Sequence, residues 1–317
     1  MSVKLLYGVD VREGLKTLEP ESVHCVVTSP PYWGLRDYGE NGQLGLEKTP
    51  EEYVKSMVAV FQEVKRVLRA DGTLWLNLGD SYAGSGKGPA GNLGAKHNER
   101  HLEHKTGGIV PDGLKPKDLV GIPWMVAFAL RADGWYLRQD IIWAKPNPMP
   151  ESVTDRCTKS HEYVFLLTKS AKYYYDAEAI KENAKPESQS RYESPFNVGK
   201  KEAAGSGRIN SATNTAGFKE FTGKRNKRSV WTVATKPYKG AHFATFPPEL
   251  ITPMILAGCP AGGTVLDPFS GSGTTGAVAV GLGRSYIGID LNKKYEALAT
   301  ERIGGLLVDN PTRKDGE

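Results

Sequence analysis

Thr28-Ser29-Pro30-Pro31-Tyr32-Trp33 combines residue types that could do chemistry, and it directly follows the β-branched run Val23 to Thr28. Its two prolines lack N–H groups and stiffen the turn. The Pro30 carbonyl, free of helix pairing, can accept one hydrogen bond, the Ser29 hydroxyl can accept another, and Tyr32 offers a flat ring. That set suits the exocyclic amino group of a nucleobase, held by two acceptors and stacked on the ring. Such an amine is a poor nucleophile because its lone pair is delocalised. Two acceptors pulling on its N–H bonds favour a pyramidal nitrogen, which can take a methyl group in line without a covalent intermediate. Taken alone, the segment also reads as an ordinary Pro-Pro turn.

A second constellation lies near the other end of the chain. Val265-Leu266-Asp267-Pro268-Phe269-Ser270-Gly271-Ser272-Gly273-Thr274-Thr275-Gly276 reads as strand, tight turn and helix start, with a formal GxGxxG at Gly271, Gly273 and Gly276. The pattern alone suggests a dinucleotide fold. Asp267 at the strand end would repel a pyrophosphate, however, and Phe269 adds an apolar wall. S-adenosylmethionine fits better, since its sulfonium and amino groups are positive and it has no phosphate. The glycines let the backbone approach the ligand closely. Asp290, at the end of the following strand Tyr286 to Asp290, is placed to accept ribose hydroxyls or, on the plainer reading, to cap a helix over 293–302.

Other signals carry less. Gly84-Ser85-Gly86-Lys87-Gly88 fails as a P-loop, because Gly follows the lysine. His97, His101 and His104 have helical ligand spacing but lie in a glycine-rich stretch with no fourth candidate, so no metal is expected. Cys25 reads as strand packing. Cys259 precedes a proline and lies far along the chain from the other two cysteines. Arg36 and Asp37 extend the Pro-Pro turn and could pair with each other.

The elements that must position these motifs alternate. Strands are expected at 4–7, 23–28, 73–78, 137–143, 163–167, 264–266 and 285–289, with Asp71-Gly72 ending the helix before the third. Helices are expected at 51–68, 119–131, 249–256 and 274–282. Tyr53, Met57, Val60, Phe61, Val64 and Leu68 form one face of the first helix. This order predicts an α/β fold with a mostly parallel sheet. Two stretches interrupt it: 79–117, which reads as a long mobile loop, and 177–235, polar and basic. The expected organisation is therefore a catalytic half at 1–176, an irregular insertion at 177–235 and a cofactor-binding half at 236–317.

With 317 residues, 39% hydrophobic and 24% charged, the chain reads as globular. Its longest apolar run, Ile122 to Leu130, is far short of a membrane span. Neither a membrane nor a secretory role is expected, and three scattered cysteines exclude a disulfide framework. A cytoplasmic location follows. Net charge is +5, and the segment 181–229 holds eleven basic and five acidic residues, so the whole excess lies there. A phosphate-bearing partner is one reading of that excess. A solvated linker is the other.

Together the motifs resemble those of the DNA amino-methyltransferases. TSPPYW matches the family's catalytic tetrapeptide pattern and LDPFSGSGTTG its cofactor motif. The catalytic motif comes first and the cofactor motif last, which resembles the permuted beta class, and the likeness covers nearly the whole chain. It implies a Rossmann-like S-adenosylmethionine-dependent methyltransferase fold with permuted motif order and a target-recognition insertion. Ser29, Pro30, Pro31 and Tyr32 would hold the target base. Asp267, Phe269, Ser270, Gly271, Gly273 and Asp290 would hold S-adenosylmethionine, as would Asp10 beside the adenine ring and Phe246 in the segment lining the methionine pocket. Lys224, Arg225, Lys227 and Arg228 would meet double-stranded DNA, and the target base would be flipped out.

Ser before Pro-Pro-Tyr is the family's commoner cytosine form, so the 4-amino group of cytosine is the expected target, with the 6-amino group of adenine as the alternative. S-adenosylhomocysteine would be the product. The resemblance further implies a bacterial, archaeal or phage-encoded enzyme, monomeric or homodimeric, that can work beside a restriction endonuclease. A catalytically inactive DNA-binding relative and an RNA or protein methyltransferase are the rival readings.

Overall fold

The computed structural model describes residues 1–35, 39–84, 110–184, 223–236 and 246–308. In chain order these form β1 (Val3–Tyr7), α1 (Val11–Lys16), β2 (Val23–Thr28), α2 (Pro50–Val67), β3 (Leu68–Leu78), α3 (Ile122–Ala132), β4 (Tyr136–Ala144) and β5 (His161–Thr168). The short strands β6 (Glu182–Asn183), β7 (Lys224–Arg225) and β8 (Val230–Thr232) follow. The last elements are α4 (Pro248–Gly258), β9 (Thr264–Asp267), α5 (Thr274–Gly281), β10 (Ser285–Asp290) and α6 (Tyr295–Val308). By its contacts the chain divides into one unit of 1–176 with 229–317 and a second of 177–228.

The first unit is built on an eight-stranded sheet in the order β1-β10-β9-β2-β3-β5-β4-β8. Only β5 runs antiparallel to its neighbours. The strands read as apolar runs because helices cover the sheet. Along β3, Leu74, Leu76 and Leu78 join the cluster formed with Tyr53, Met57, Val60, Phe61 and Val64 of α2. The alternate residues Thr73 and Trp75 meet α4, with Thr73 donating to the Gly258 carbonyl (3.2 Å). Phe61, Tyr53 and Trp75 are each 1% exposed or less, a burial that contributes roughly 1.5–3 kcal/mol per large apolar side chain.

Several boundaries differ from expectation. β3 starts at Leu68, and Asp71-Gly72 lies inside it: the pairing jumps from Val23↔Leu68 to Cys25↔Thr73, so the extra residues bulge rather than end the strand. α3 starts at Ile122, because Gly121 adopts a left-handed φ of 86° and Asp80 accepts hydrogen bonds from the Gly121 and Ile122 amides. The ends of the expected 79–117 loop are joined, with Tyr82 bridging to Leu119 and Ala83 paired to Asp118 and Lys117. Val230–Thr232, inside the stretch expected to be irregular, adds a parallel edge strand against β4. The six-residue α1, capped by Asp10, was too short for periodicity to reveal. His97, His101, His104, Arg36, Asp37 and most of the Gly84 to Gly88 motif lie outside the described residues.

Candidate active site

The chain runs from β2 outward to β3 and from β9 outward to β10, in opposite directions along the sheet, so β2 and β9 meet at its switch point. The crevice beyond the carboxyl ends of such strands is where open α/β sheets bind ligands. Both motifs emerge there. Thr28, the last residue of β2, donates to Asp267 Oδ1 of β9 at 2.6 Å across 239 positions of sequence. That single bond ties the Pro-Pro turn to the glycine turn.

Asp267 is 2% exposed, and donors surround its carboxylate. Thr28 Oγ1 and the Phe269 amide (3.0 Å) donate to Oδ1, and Thr275 Oγ1 donates to Oδ2 (2.6 Å). The carboxylate expected to meet the ligand thus also knots three segments together. Ser270 is likewise turned inward, its hydroxyl paired with Tyr7 Oη (2.6 Å) and Tyr286 Oη (2.7 Å). Tyr7 also donates to the Gly271 carbonyl (2.9 Å). From the other side Arg302 of α6 donates to the hydroxyls of Ser272 and Thr274. The turn is thus fixed from below by β1 and β10 and from α6, through tyrosines and an arginine that no motif singled out.

Burial pushes the Asp267 carboxyl up to about 6, against the pull of its donors. The folded value exceeds the unfolded carboxylate value, so the folded state binds this proton more tightly. Its contribution to stability is full below about pH 4 and is lost as pH rises through 6. Asp267→Asn, which cannot ionise, should remove on the order of 3 kcal/mol from the pH-dependence of unfolding across that window. Denaturant unfolding at pH 4 and pH 7 checks this, and an unchanged difference between the two would refute it.

Above the glycine turn, one cavity is lined by Asp10, Ser29, Pro31, Phe269, Gly271 and Asp290, together with the 40–44 segment and Tyr295. Asp290 accepts the Gly271 amide (2.7 Å) on one carboxylate oxygen and the Asn292 amide (2.8 Å) on the other. The helix-cap alternative for Asp290 fails, since α6 begins only at Tyr295. Burial raises its carboxyl above the usual range. Asp10 is clasped by Arg12 through Nε (3.0 Å) and Nη2 (2.9 Å), which holds its carboxyl low. Three carboxylates (Asp10, Glu40 and Asp290) and the apolar walls Val11, Leu44, Phe269 and Leu291 form the lining. This donor set fits a cationic ligand that also carries hydroxyls and a flat apolar ring, as S-adenosylmethionine does. Gly273 instead packs α5 onto α6, and Phe246 is not among the lining residues.

The Pro-Pro turn is held equally closely. Tyr53 Oη of α2 donates to the Pro31 carbonyl (2.8 Å), and buried Trp33 donates to the Glu47 carbonyl (2.9 Å). Pro30 is buried, and Ser29 and Tyr32 are half-buried. Gly79 follows β3 because a Cβ there would sit 2.5 Å from the Tyr32 ring. Ser29 Oγ donates to Tyr32 Oη (3.2 Å), and Tyr32 Oη donates to Glu162 Oε2 (2.7 Å). Asn77 Nδ2 donates to the same oxygen (3.1 Å), and Lys145 Nζ donates to Glu162 Oε1. Burial and the Glu162 charge raise Tyr32 well above a normal phenol. Asn77, Lys145 and Glu162 were missed in the sequence. The one available signal was a carboxylate inside the otherwise apolar strand His161 to Thr168.

Cys25 and Cys259 are buried, and burial pushes the Cys259 thiol up to about 11 and Cys25 higher still, so neither is poised as a nucleophile. No group of three potential metal ligands occurs among the described residues. No described helix is long and apolar enough to cross a membrane. In the second unit Arg225, Lys227 and Arg228 lie 3.4–3.5 Å from one carboxylate, Glu182, and Lys224 is exposed.

Comparison with known proteins agrees with this geometry. A model of DNA methylases (N6/N4 methyltransferases) matches residues 23–301. The Type II methyltransferase M.SmaI of Serratia marcescens is 48% identical over 302 residues, covering 95% of this chain and 91% of its own. Among solved structures, the PvuII DNA methyltransferase (cytosine-N4-specific) superposes with a TM-score of 0.62 at 18% identity, covering 95% of this chain and 86% of its own. TTHA0409 of Thermus thermophilus, complexed with S-adenosyl-L-methionine, gives 0.58 at 22% identity, covering 96% of this chain and 93% of its own.

Proposed function

The chain belongs to the DNA methylase family of N6/N4 methyltransferases, and from that premise we propose that it methylates the 4-amino group of a cytosine flipped out of duplex DNA. The observation that carries the reading is the shared cavity: Ser29 and Pro31 of the catalytic turn and Phe269, Gly271 and Asp290 of the cofactor turn line one space. S-adenosylmethionine supplies the methyl group when bound. Asp290 and Asp10 hold its hydroxyls and amino groups, and Phe269 packs on its flat ring. Ser29 Oγ and the Pro30 carbonyl accept the target N–H bonds and draw the nitrogen lone pair out of conjugation, while Tyr32 stacks on the base.

Serine supports cytosine over adenine. Its uncharged hydroxyl can accept from the amino group without placing a negative charge beside the adjacent ring nitrogen of cytosine, itself an acceptor. The excess of basic residues in 181–229 supports phosphate binding, with Lys224, Arg225, Lys227 and Arg228 taking part. The Type II designation of M.SmaI supports a place beside a restriction endonuclease, working on DNA in the cytoplasm. One copy of the chain suffices for transfer to a single base.

Nucleoside mass spectrometry tests the reaction. DNA from a methylation-free host expressing the chain should contain 4-methylcytosine; 6-methyladenine instead would overturn the choice of base and keep the site. Ser29→Ala should slow methyl transfer at least about 10-fold, as loss of a hydrogen bond to the reacting group does. A rate within about twofold of the parent would remove Ser29 from the mechanism.

A further inference from the structure

The side chains behind the catalytic turn form a continuous path leading away from the reacting nitrogen. Ser29 Oγ donates to Tyr32 Oη at 3.2 Å, and Tyr32 Oη donates to Glu162 Oε2 at 2.7 Å. Asn77 Nδ2 also donates to that oxygen, and its Oδ1 lies 3.2 Å from Tyr32 Oη, so the phenol is held from two sides. Lys145 engages Oε1, which leaves Oε2 to Tyr32 and Asn77. Lys145 is fixed in turn 4.3 Å over the Trp143 ring. Both charged side chains are 17% exposed, so the path ends in a carboxylate that keeps a narrow contact with solvent.

Transfer to an amine leaves a proton to be disposed of. A neutral amino nitrogen that gains a methyl group becomes cationic and must lose one of its two hydrogens. The acceptors that pyramidalise it are a carbonyl, which cannot pass a proton on, and the Ser29 hydroxyl, which can.

We propose that Ser29, Tyr32 and Glu162 form a proton path from the target amine, with Glu162 as its terminal acceptor. The proposal rests on the reading that Ser29 holds that amine. The step balances as follows. The S–CH3 bond breaks with its electron pair left on sulfur, and the N–CH3 bond forms from the nitrogen lone pair. An N–H bond then breaks, its electrons returning to nitrogen. Ser29 Oγ takes that proton and gives its own to Tyr32 Oη, and Tyr32 gives its own to Glu162 Oε2. The carboxylate becomes a carboxylic acid and later returns the proton to solvent. Neither hydroxyl is ionised for longer than the transfer, which matters for Tyr32, whose phenolate is strongly disfavoured by burial. Glu162 is a positioning residue for Tyr32 as well, because it orients the phenol that stacks on the base.

The test uses the full chain with Glu162→Gln, the charge-balanced pair Glu162→Gln/Lys145→Met, and Ser29→Ala. The readouts are single-turnover methyl transfer on duplex DNA, its pH profile and the melting temperature. Glutamine still accepts from Tyr32 but cannot take the proton. Both Glu162 variants should therefore slow single turnover at least about 10-fold and change the shape of the pH profile relative to wild type. The charged groups facing Glu162 are Lys145 and Lys159, and removing Lys145 in the pair separates proton transfer from charge imbalance. A Glu162→Gln rate within about twofold of wild type, or full recovery in the pair, would overturn the proton path. If Ser29→Ala alone is slow, the reading of the site survives without the path. If Ser29→Ala is normal, the reading itself fails. Independently of turnover, the Tyr32 hydroxyl proton should be protected from exchange in the free protein by NMR and lost in Glu162→Ala. Its persistence there would also count against the path.

Discussion

Replacing Asp290 with alanine is expected to weaken S-adenosylmethionine binding by about 100-fold. Asp290 is the one carboxylate that both lines the cavity and holds the glycine turn, accepting the Gly271 amide at 2.7 Å. Its removal takes away the acceptors proposed for the ribose hydroxyls and leaves the Gly271 amide without its side-chain partner. A hydrogen bond to a charged group contributes roughly 1.5–3 kcal/mol, and each 1.4 kcal/mol is about a decade of affinity. Asp290→Asn keeps the shape and one acceptor and should lose less. Titration calorimetry with the cofactor and no DNA reads both, and an alanine variant within about threefold of wild type would take Asp290 out of the binding site.

Gly273→Ala should destabilise the fold by about 2–4 kcal/mol. The residue has φ 76°, in the left-handed region, and an added Cβ would lie 2.9 Å from the Ala299 Cα of α6. The neighbour is backbone, so it cannot swing aside, and the whole helix must shift. Conformational strain of about 1 kcal/mol adds to overpacking of about 1–3 kcal/mol. Thermal unfolding without cofactor reads the loss. By contrast Gly283, also at positive φ but facing open space, should lose only the strain on the same substitution.

The legible part of the molecule was the part written in local pattern. Apolar strand runs and the Tyr53-to-Val64 stripe of α2 carry their own periodicity, so the layered α/β fold and both motifs could be read from the sequence. What could not be read lies in contacts between segments far apart in sequence. Asp267 looks like a ligand group in isolation. Only the presence of Thr28 and Thr275 around it turns it into a buried junction. Tyr7 and Tyr286 are ordinary strand residues until β1 and β10 lie side by side beneath Ser270. Glu162 reaches the Pro-Pro turn because β5 runs against its neighbours, which brings its first residues to the edge where the other strands end. The bulge at 69–72 was hidden for a different reason: Asp-Gly is a common helix terminator, and the pairing to β2 overrides it.

The strand order also has a consequence for how the molecule comes into being on the ribosome. β2, β3, β5 and β4 are all made by residue 168 and pair among themselves. β1 is synthesised before any of them, yet among the described residues its only partner in the sheet is β10, with Val3 opposite Tyr286. The inner edge of β2 likewise waits for β9. Unpaired edges are templates for association with other chains, and pairings this distant in sequence form slowly. A nascent chain therefore carries an open sheet edge and an idle first strand through most of its synthesis. The crevice between the two turns is complete only when β9 and β10 lie between β2 and β1, so a chain made only as far as β5 lacks one of its walls.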